Sequence, residues 1–255
     1  QKNMKYKNKI VLITGSGSGI GKAAALAFSK EGGTIIVSDI NEINGLKTVS
    51  EIIKNNGKAT FFKTDVSNFD MVKNLMDFII EKYGRLDVAI NNAGVGGDFA
   101  KITDITLESW DKTMSVNSSG VFYCIKTQIP IMLKQGKGVI LNTSSIAGIR
   151  GLPNAIAYSA SKHAVIGITK TAAMEYAKNN IRVNALCPVF TITPMFDPEA
   201  MDKLKEGISE RLKANVPMKR FANVMEQVNT MLWLCSDEAS FITGQAISVD
   251  GGITA

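Results

Sequence analysis

Histidine is nearly missing from this chain of 255 residues: His163 is the only one. A His-rich metal site and a Ser-His-Asp triad therefore have little to draw on. Cysteine is scarce as well. Cys124, Cys187 and Cys235 are odd in number, and no two stand at metal-ligand spacing. They are expected to be buried, inert thiols in a reducing cytoplasm, with no metal. No apolar run approaches the ~20 residues that a membrane helix needs. The basic segment from Gln1 to Lys9 lacks the apolar stretch of a secretory signal. Membrane insertion and secretion are not expected, and a cytoplasmic protein is.

What is present is ordinary in bulk: 45% hydrophobic residues, 20% charged, net charge +6. The positive balance raises nucleic acid or an acidic partner as a question. The lysines, however, alternate with acids, as in Lys47, Glu51 and Lys54, or Lys203, Lys205, Glu206, Glu210 and Lys213. These read as solvated helix faces. No basic cluster carries the interleaved aromatics of a single-strand binder, so no nucleic acid is expected.

Short β-branched runs recur along the chain. They span 10–14, 34–38, 59–64, 87–90, 139–143, 182–186 and 246–249. Stretches with apolar residues at helical spacing lie between them. Ala24, Leu26, Ala27 and Phe28 follow the first strand; Val72, Leu75, Met76, Ile79 and Ile80 follow the third. Strand and helix alternating at this period predict a doubly wound parallel sheet of about seven strands, with helices on both faces. That is a Rossmann fold in a single domain, 1–255. From Phe190 to about Pro217 the alternation stops. Pro194, Pro198 and Pro217 punctuate the segment, and 201–212 has helical spacing. A substrate lid is expected at about 190–217.

The first strand runs into Thr14-Gly15-Ser16-Gly17-Ser18-Gly19-Ile20-Gly21, and a helix begins at once. Glycines there let the backbone turn sharply and approach a phosphate, which the helix N-terminus favours. A P-loop is excluded: with Gly21-Lys22 it needs Gly at 16 and Ser or Thr at 23, where Ser16 and Ala23 stand. The strict G-x-G-x-x-G spacing fails too, leaving T-G-x-x-x-G-I-G. The second strand ends in Asp39, 18 residues after Gly21. An acidic side chain there accepts both ribose hydroxyls of an adenosine and repels a 2′-phosphate. No Arg or Lys occupies 16–18 or 40–41; Lys22 is the one nearby cation. NAD is therefore expected over NADP.

The chain resembles the short-chain dehydrogenase/reductase family over essentially all its length. The motifs stand in the family's order: Thr14-Gly15-x-x-x-Gly19-Ile20-Gly21, Asn91-Asn92-Ala93-Gly94, Asn117, Ser144-Ser145, Tyr158-Ser159-Ala160-Ser161-Lys162 and Val249-Asp250-Gly251-Gly252. The resemblance implies an enzyme that moves a hydride between a nicotinamide and a secondary alcohol or ketone. Tyr158 would be the general base or acid. A free phenol, with a pKa of about 10, is a poor base at neutral pH. Lys162, four residues on, shares its helix face and is expected to lower that pKa. Ser145, 13 residues before Tyr158, would orient the substrate oxygen, with Ser144 as its competitor. Asn117 would hold a water linking Lys162 to solvent.

The resemblance also implies a cofactor shell. Gly15, Ser18, Gly19 and Ile20 would take the phosphates, and Asp39 and Ile40 the adenosine ribose. Asp65 and Val66 would border the adenine. Asn92, Ala93 and Gly94 would pass beneath the cofactor. Pro188, Thr191 and Thr193 would reach the nicotinamide, together with Tyr158 and Lys162. One departure stands out: the family's usual Pro-Gly is Pro188-Val189 here. A glycine there suggests close approach or a positive φ, which Val tolerates badly. His163 points away from the catalytic face and is read as structural.

Candidate pocket residues are Val95, Gly96, Gly97, Ile146, Leu152, Phe190, Met195 and Phe196. They suit a small cyclic or apolar alcohol. Two other functions compete: an NADPH-dependent 3-oxoacyl-carrier-protein reductase, and a non-catalytic NAD sensor on the same fold. A homotetramer is expected from the resemblance, through helices beginning near Thr106 and Ile156. Ala160, Ala164, Gly167, Ile168 and Ala172 would give the second of these a small-residue face.

Overall fold

The structure, a computed structural model, describes residues 4–204 and 206–255. Gln1, Lys2 and Asn3 of the N-terminal reading, and Lys205 of the solvated-face reading, lie outside the described residues. Seven parallel strands form one sheet: β1 (Ile10–Thr14), β2 (Thr34–Asp39), β3 (Lys58–Lys63), β4 (Val88–Asn91), β5 (Gly138–Thr143), β6 (Ile181–Pro188) and β7 (Ala246–Val249). Their order is β3-β2-β1-β4-β5-β6-β7. The chain first winds outward from β1 to β3, then returns to lay β4 on the other side of β1. A crevice opens at that reversal, above the carboxyl ends of β1 and β4, where such sheets bind ligands.

Both sheet faces are covered, which explains why the strands are nearly continuous apolar runs. In β1, Ile10 and Leu12 join one core and Val11 and Ile13 the other. The first core packs α3 (Phe69–Tyr83), α5 (Gly120–Gln135) and α6 (Ile156–Tyr176) on one face. The second packs α1 (Gly19–Lys30), α2 (Glu42–Lys54) and α9 (Val224–Leu234) on the other. Side-chain period 2 on the strands and 3.6 on the helices thus meets on each side. In α3, Val72, Leu75, Met76 and Ile79 are buried as expected, but Ile80 is 39% exposed at the stripe's edge. In α1, Ala24 and Phe28 are buried, and Leu26 and Ala27 only pack against the core.

Among the described residues of 190–217 there is no strand, only isolated bridges from Thr191 to Ala222 and from Thr193 to Phe196. The helix anticipated over 201–212 is two: α7 (Pro198–Leu204) and α8 (Ile208–Ala214). Gly207, at φ +73°, ends the continuity. A left-handed residue cannot sit inside a right-handed helix. No helix among the described residues is long and apolar enough to cross a membrane.

Candidate active site

The loop from β1 into α1 is built by glycines that nothing larger could replace. Gly15 and Gly19 have φ of +64° and +54°. A Cβ on Gly15 would lie 2.8 Å from Ala93 Cα. One on Gly21 would lie 2.2 Å from Gly15 O and 2.5 Å from Asn92 Nδ2. Gly21→Ala is therefore expected to destabilise the protein by about 3 kcal/mol through overpacking. Urea unfolding measures it.

Asn92 lashes the loop down, donating through Nδ2 to Thr14 O at 3.1 Å and Gly15 O at 3.3 Å. The backbone N–H groups of Asn92 and Ala93 both donate to Thr14 Oγ1. Buried Ser16, to which spacing assigned no role beyond excluding a P-loop, ties the loop to β1 and β2. Its hydroxyl donates to Ile13 O, and Ser38 N–H donates to it. Thr48 of α2 donates to Ser16 O.

The loop fits a dinucleotide phosphate. Ser18 stands at the N-cap of α1 but its side chain caps nothing. The first-turn amides of α1, at Gly19, Ile20 and Gly21, have no partner within the helix and face the crevice end with the helix dipole behind them. Asp39 closes the far side. Its Oδ2 accepts from Gly17 N–H and its Oδ1 from Asn41 N–H, both at 2.8 Å. A Cβ on Gly17 would meet Asp39 Oδ2 at 2.8 Å, so glycine and carboxylate depend on each other. Lys22, the cation next to the glycine loop, is instead paired with Glu51 at 2.7 Å. Ile40 beside Asp39 is 60% exposed. Asp65 Oδ1 accepts from Ser67 N–H and Oγ, and buried Val66 packs against Gly120 at the start of α5.

The chemistry-bearing side chains meet across the crevice. Lys162 of α6 is almost wholly buried and donates from Nζ to Thr143 O at 2.9 Å. Nζ lies 5.5 Å from the centre of the Tyr158 ring one turn earlier. Gly94 passes so close that a Cβ there would lie 3.4 Å from Nζ and 3.1 Å from Asn117 Oδ1. Ser145 stands just past β5 and hydrogen-bonds the Tyr158 phenol. Its competitor Ser144 turns away, donating to Lys162 O at 2.9 Å.

Two electrostatic expectations change. Burial pushes the Tyr158 phenol above its ordinary value, and the Ser145 hydrogen bond, rather than Lys162, is what opposes the rise. Lys162 is itself pushed down to about 8 by burial. Taking either group out of water disfavours its charged form, and desolvation is the largest cause of both shifts. Cys187, read from sequence as an inert thiol, sits beside both groups. Burial lifts it to about 11, so it is neutral at pH 7. All three cysteines are free and buried.

The Lys162 shift has a consequence for stability. Unfolded Lys162 holds its proton to about 10.4, and the folded residue only to about 8. Between those values the unfolded chain binds more protons, so stability contributed at this site rises with pH. Relative to Lys162→Met, the unliganded protein is expected to gain melting temperature from pH 8 to pH 10. A flat difference would contradict the burial.

Asn117 lies in a π-helical turn (Ser115–Ser119) between α4 (Leu107–Met114) and α5. Such turns often mark functional sites. Its amide is already committed: Oδ1 accepts from Val95 N–H at 2.8 Å, and Nδ2 donates to Val95 O and Ser161 Oγ. One lone pair of Oδ1 is what remains of the side chain for a water. The side chain therefore clamps the Gly94–Val95 turn as well.

After Pro188 the chain passes through Val189, which is 8% exposed and does not have a positive φ. The strain expected of Val in a glycine position is absent. Thr191 is buried and donates to Val189 O at 2.7 Å. Thr193 hangs over the glycine loop, where a Cβ on Gly19 would meet its Cβ at 3.5 Å. Phe190 and Phe196 stack at 5.2 Å and both meet Phe221 edge-on. Their rings fasten the segment to itself. His163 is exposed, with Nδ1 2.8 Å from Ser159 O, and takes no part.

A glycine loop at the switch point of a doubly wound sheet, with a Ser, Tyr and Lys cluster facing it, defines a dinucleotide-binding oxidoreductase. A family model described as Enoyl-(Acyl carrier protein) reductase matches residues 15–254. The chain is 42% identical to a 3-oxoacyl-[acyl-carrier-protein] reductase of Thermotoga maritima, over 98% of this chain and 99% of that one. It is 40% identical to a 3beta-hydroxysteroid dehydrogenase of Mediterraneibacter gnavus, over 98% and 96%. Among solved structures it resembles an NAD+-bound xylitol dehydrogenase with TM-score 0.93 and 31% identity, covering 97% of this chain and 100% of that one. The chain belongs to the short-chain dehydrogenase/reductase family.

Proposed function

We propose that this protein is an NAD-dependent oxidoreductase acting on a secondary alcohol or ketone, small and cyclic or otherwise apolar. The observation that carries this reading is the buried Lys162 beside Tyr158 and Ser145, facing a glycine loop closed by Asp39. When bound, the nicotinamide cofactor supplies the two-electron redox chemistry. Ser145 holds the substrate oxygen. Tyr158 takes the hydroxyl proton in oxidation and returns it in reduction. Lys162 has two N–H groups left after Thr143, which suit the nicotinamide ribose and a proton-carrying water. Asn117 borders that water.

Gly15, Ser18, Gly19 and Ile20 would hold the phosphates, with Asn92, Ala93 and Gly94 beneath. Asp39 and Ile40 would take the ribose, Asp65 and Val66 the adenine, and Pro188, Thr191 and Thr193 the nicotinamide end. The segment 190–217 acts as a lid. Assembly as a cytoplasmic homotetramer through α4, α5 and α6 belongs to the same reading.

A second reading, 3-oxoacyl-carrier-protein reduction with NADPH, draws on the Thermotoga maritima relative. Asp39 opposes it, because its carboxylate repels a 2′-phosphate. A screen of cyclic secondary alcohols with NAD and NADP side by side, read by absorbance of the reduced cofactor, separates the two. Turnover only with NADPH on a 3-oxoacyl carrier would sink the first reading.

A further inference from the structure

A cavity of about 120 Å³ lies at the opposite end of the sheet, against the amino ends of β4, β5 and β6. Lys5, Lys9, Lys137 and Arg182 line it, with Asp87 and Asp237. These charges do not cancel. Asp87 is committed to Arg85, which donates to both its oxygens, and to Ile10 N–H at 2.9 Å. Lys9 makes a longer ion pair with it, at 3.9 Å. Lys5 is matched by Glu238 at 2.8 Å. Among the described residues the Lys137 ammonium has no hydrogen bond or ion pair.

Arg182 is the unusual member. It is only 9% exposed, yet its guanidinium donates to neutral carbonyls, Ile242 O at 3.1 Å and Ser236 O at 2.9 Å. No carboxylate of the described residues pairs with it. Buried guanidinium groups are ordinarily paired, because desolvating an unpaired charge is costly. Lys9, Lys137 and Arg182 thus line the cavity with Asp237 and with Asp87, which is already shared between Arg85 and Lys9.

We propose that this cavity is a binding site for a compact tetrahedral oxyanion of the phosphate class, separate from the cofactor crevice. The cavity is several times larger than the roughly 10–15 Å³ that one water requires. The three cations come from three elements, so they approach from different directions. A tetrahedral anion offers oxygens to each, where a planar carboxylate offers two in one plane. Charge-assisted bonds to a half-desolvated anion are the strong kind. The anion would also supply the partner that Arg182 lacks.

Calorimetric titration of inorganic phosphate tests this, with and without saturating NADH, against chloride at equal ionic strength. One phosphate per chain is expected in both cases, since the cofactor crevice is a different place. Lys137→Gln is expected to weaken binding at least fivefold, and Lys9→Gln similarly. Lys137→Gln removes no hydrogen bond or ion pair of the described residues, and Lys9→Gln removes only the long ion pair to Asp87, whereas Arg182→Gln could unsettle the fold. Lys47→Gln, an exposed lysine on α2, controls for net charge and should match wild type. Glycerol 3-phosphate run in parallel supports a site for phosphoryl groups if it binds as well, and a site for the free ion if it does not. No heat beyond that of chloride, loss of binding under NADH, or unchanged affinity in Lys137→Gln would overturn the proposal.

Discussion

Replacing Tyr158 by Phe is expected to lower turnover by about 10³-fold or more, with NADH affinity nearly unchanged. Positioned general acid–base catalysis is worth about 10²–10⁴-fold, and Tyr158 has no substitute. The lone histidine is exposed and bonded to Ser159 O. Burial holds the neighbouring Cys187 thiol at about 11. The change deletes one oxygen and keeps the ring against Lys162, so the fold should persist. Stopped-flow turnover and NADH fluorescence titration read the two halves separately. Residual activity above a tenth of wild type would remove Tyr158 from the proton path. Because burial lifts the phenol's pKa, the protonated form dominates at neutral pH in the unliganded protein. Ketone reduction should therefore be supported at neutral pH, while alcohol oxidation should climb as pH rises toward the phenol's pKa.

Asp39→Asn is expected to move the ratio of kcat/KM for NAD over that for NADP by about 10–100-fold toward NADP. Hydrogen bonds to a charged group are worth about 1.5–3 kcal/mol, and about 1.4 kcal/mol corresponds to tenfold. The amide still offers one oxygen to the loop, so Gly17 N–H or Asn41 N–H keeps an acceptor. What disappears is the negative charge facing a 2′-phosphate. Initial rates with both cofactors measure it. An unchanged ratio would mean that Asp39 serves only to close the glycine loop.

Much of the site could be read along the chain because its parts are local. Glycine spacing, a strand-terminal Asp and a Tyr–Lys pair one turn apart each work through neighbours in sequence. The seven strands emerged for the same reason: alternating strands and helices have distinct periods. The misjudged details were those that depend on distant contacts. Gly207 splits the helix anticipated over 201–212, and Ile80 sits at the rim of a stripe whose width the packing sets. Phe190 and Phe196, read as pocket residues, also stack on each other and meet Phe221 edge-on, 25 positions beyond Phe196, a contact that spacing does not announce. Val189 raised an expectation of strain that its ordinary backbone dismisses.

The sequence by itself determined that this is a doubly wound oxidoreductase fold with Tyr158 and Lys162 one turn apart and Asp39 at the end of the second strand. Periodicity and spacing are properties of the chain. The tertiary structure alone decided the protonation balance of that pair, the hydrogen bond that turns Ser144 to Lys162 O, and the clamp that Asn117 places on Val95. It also gathered Lys9, Lys137 and Arg182 around one cavity. Desolvation, hydrogen-bond partners and charge surplus depend on what surrounds a side chain in space, and only folding brings those surroundings together.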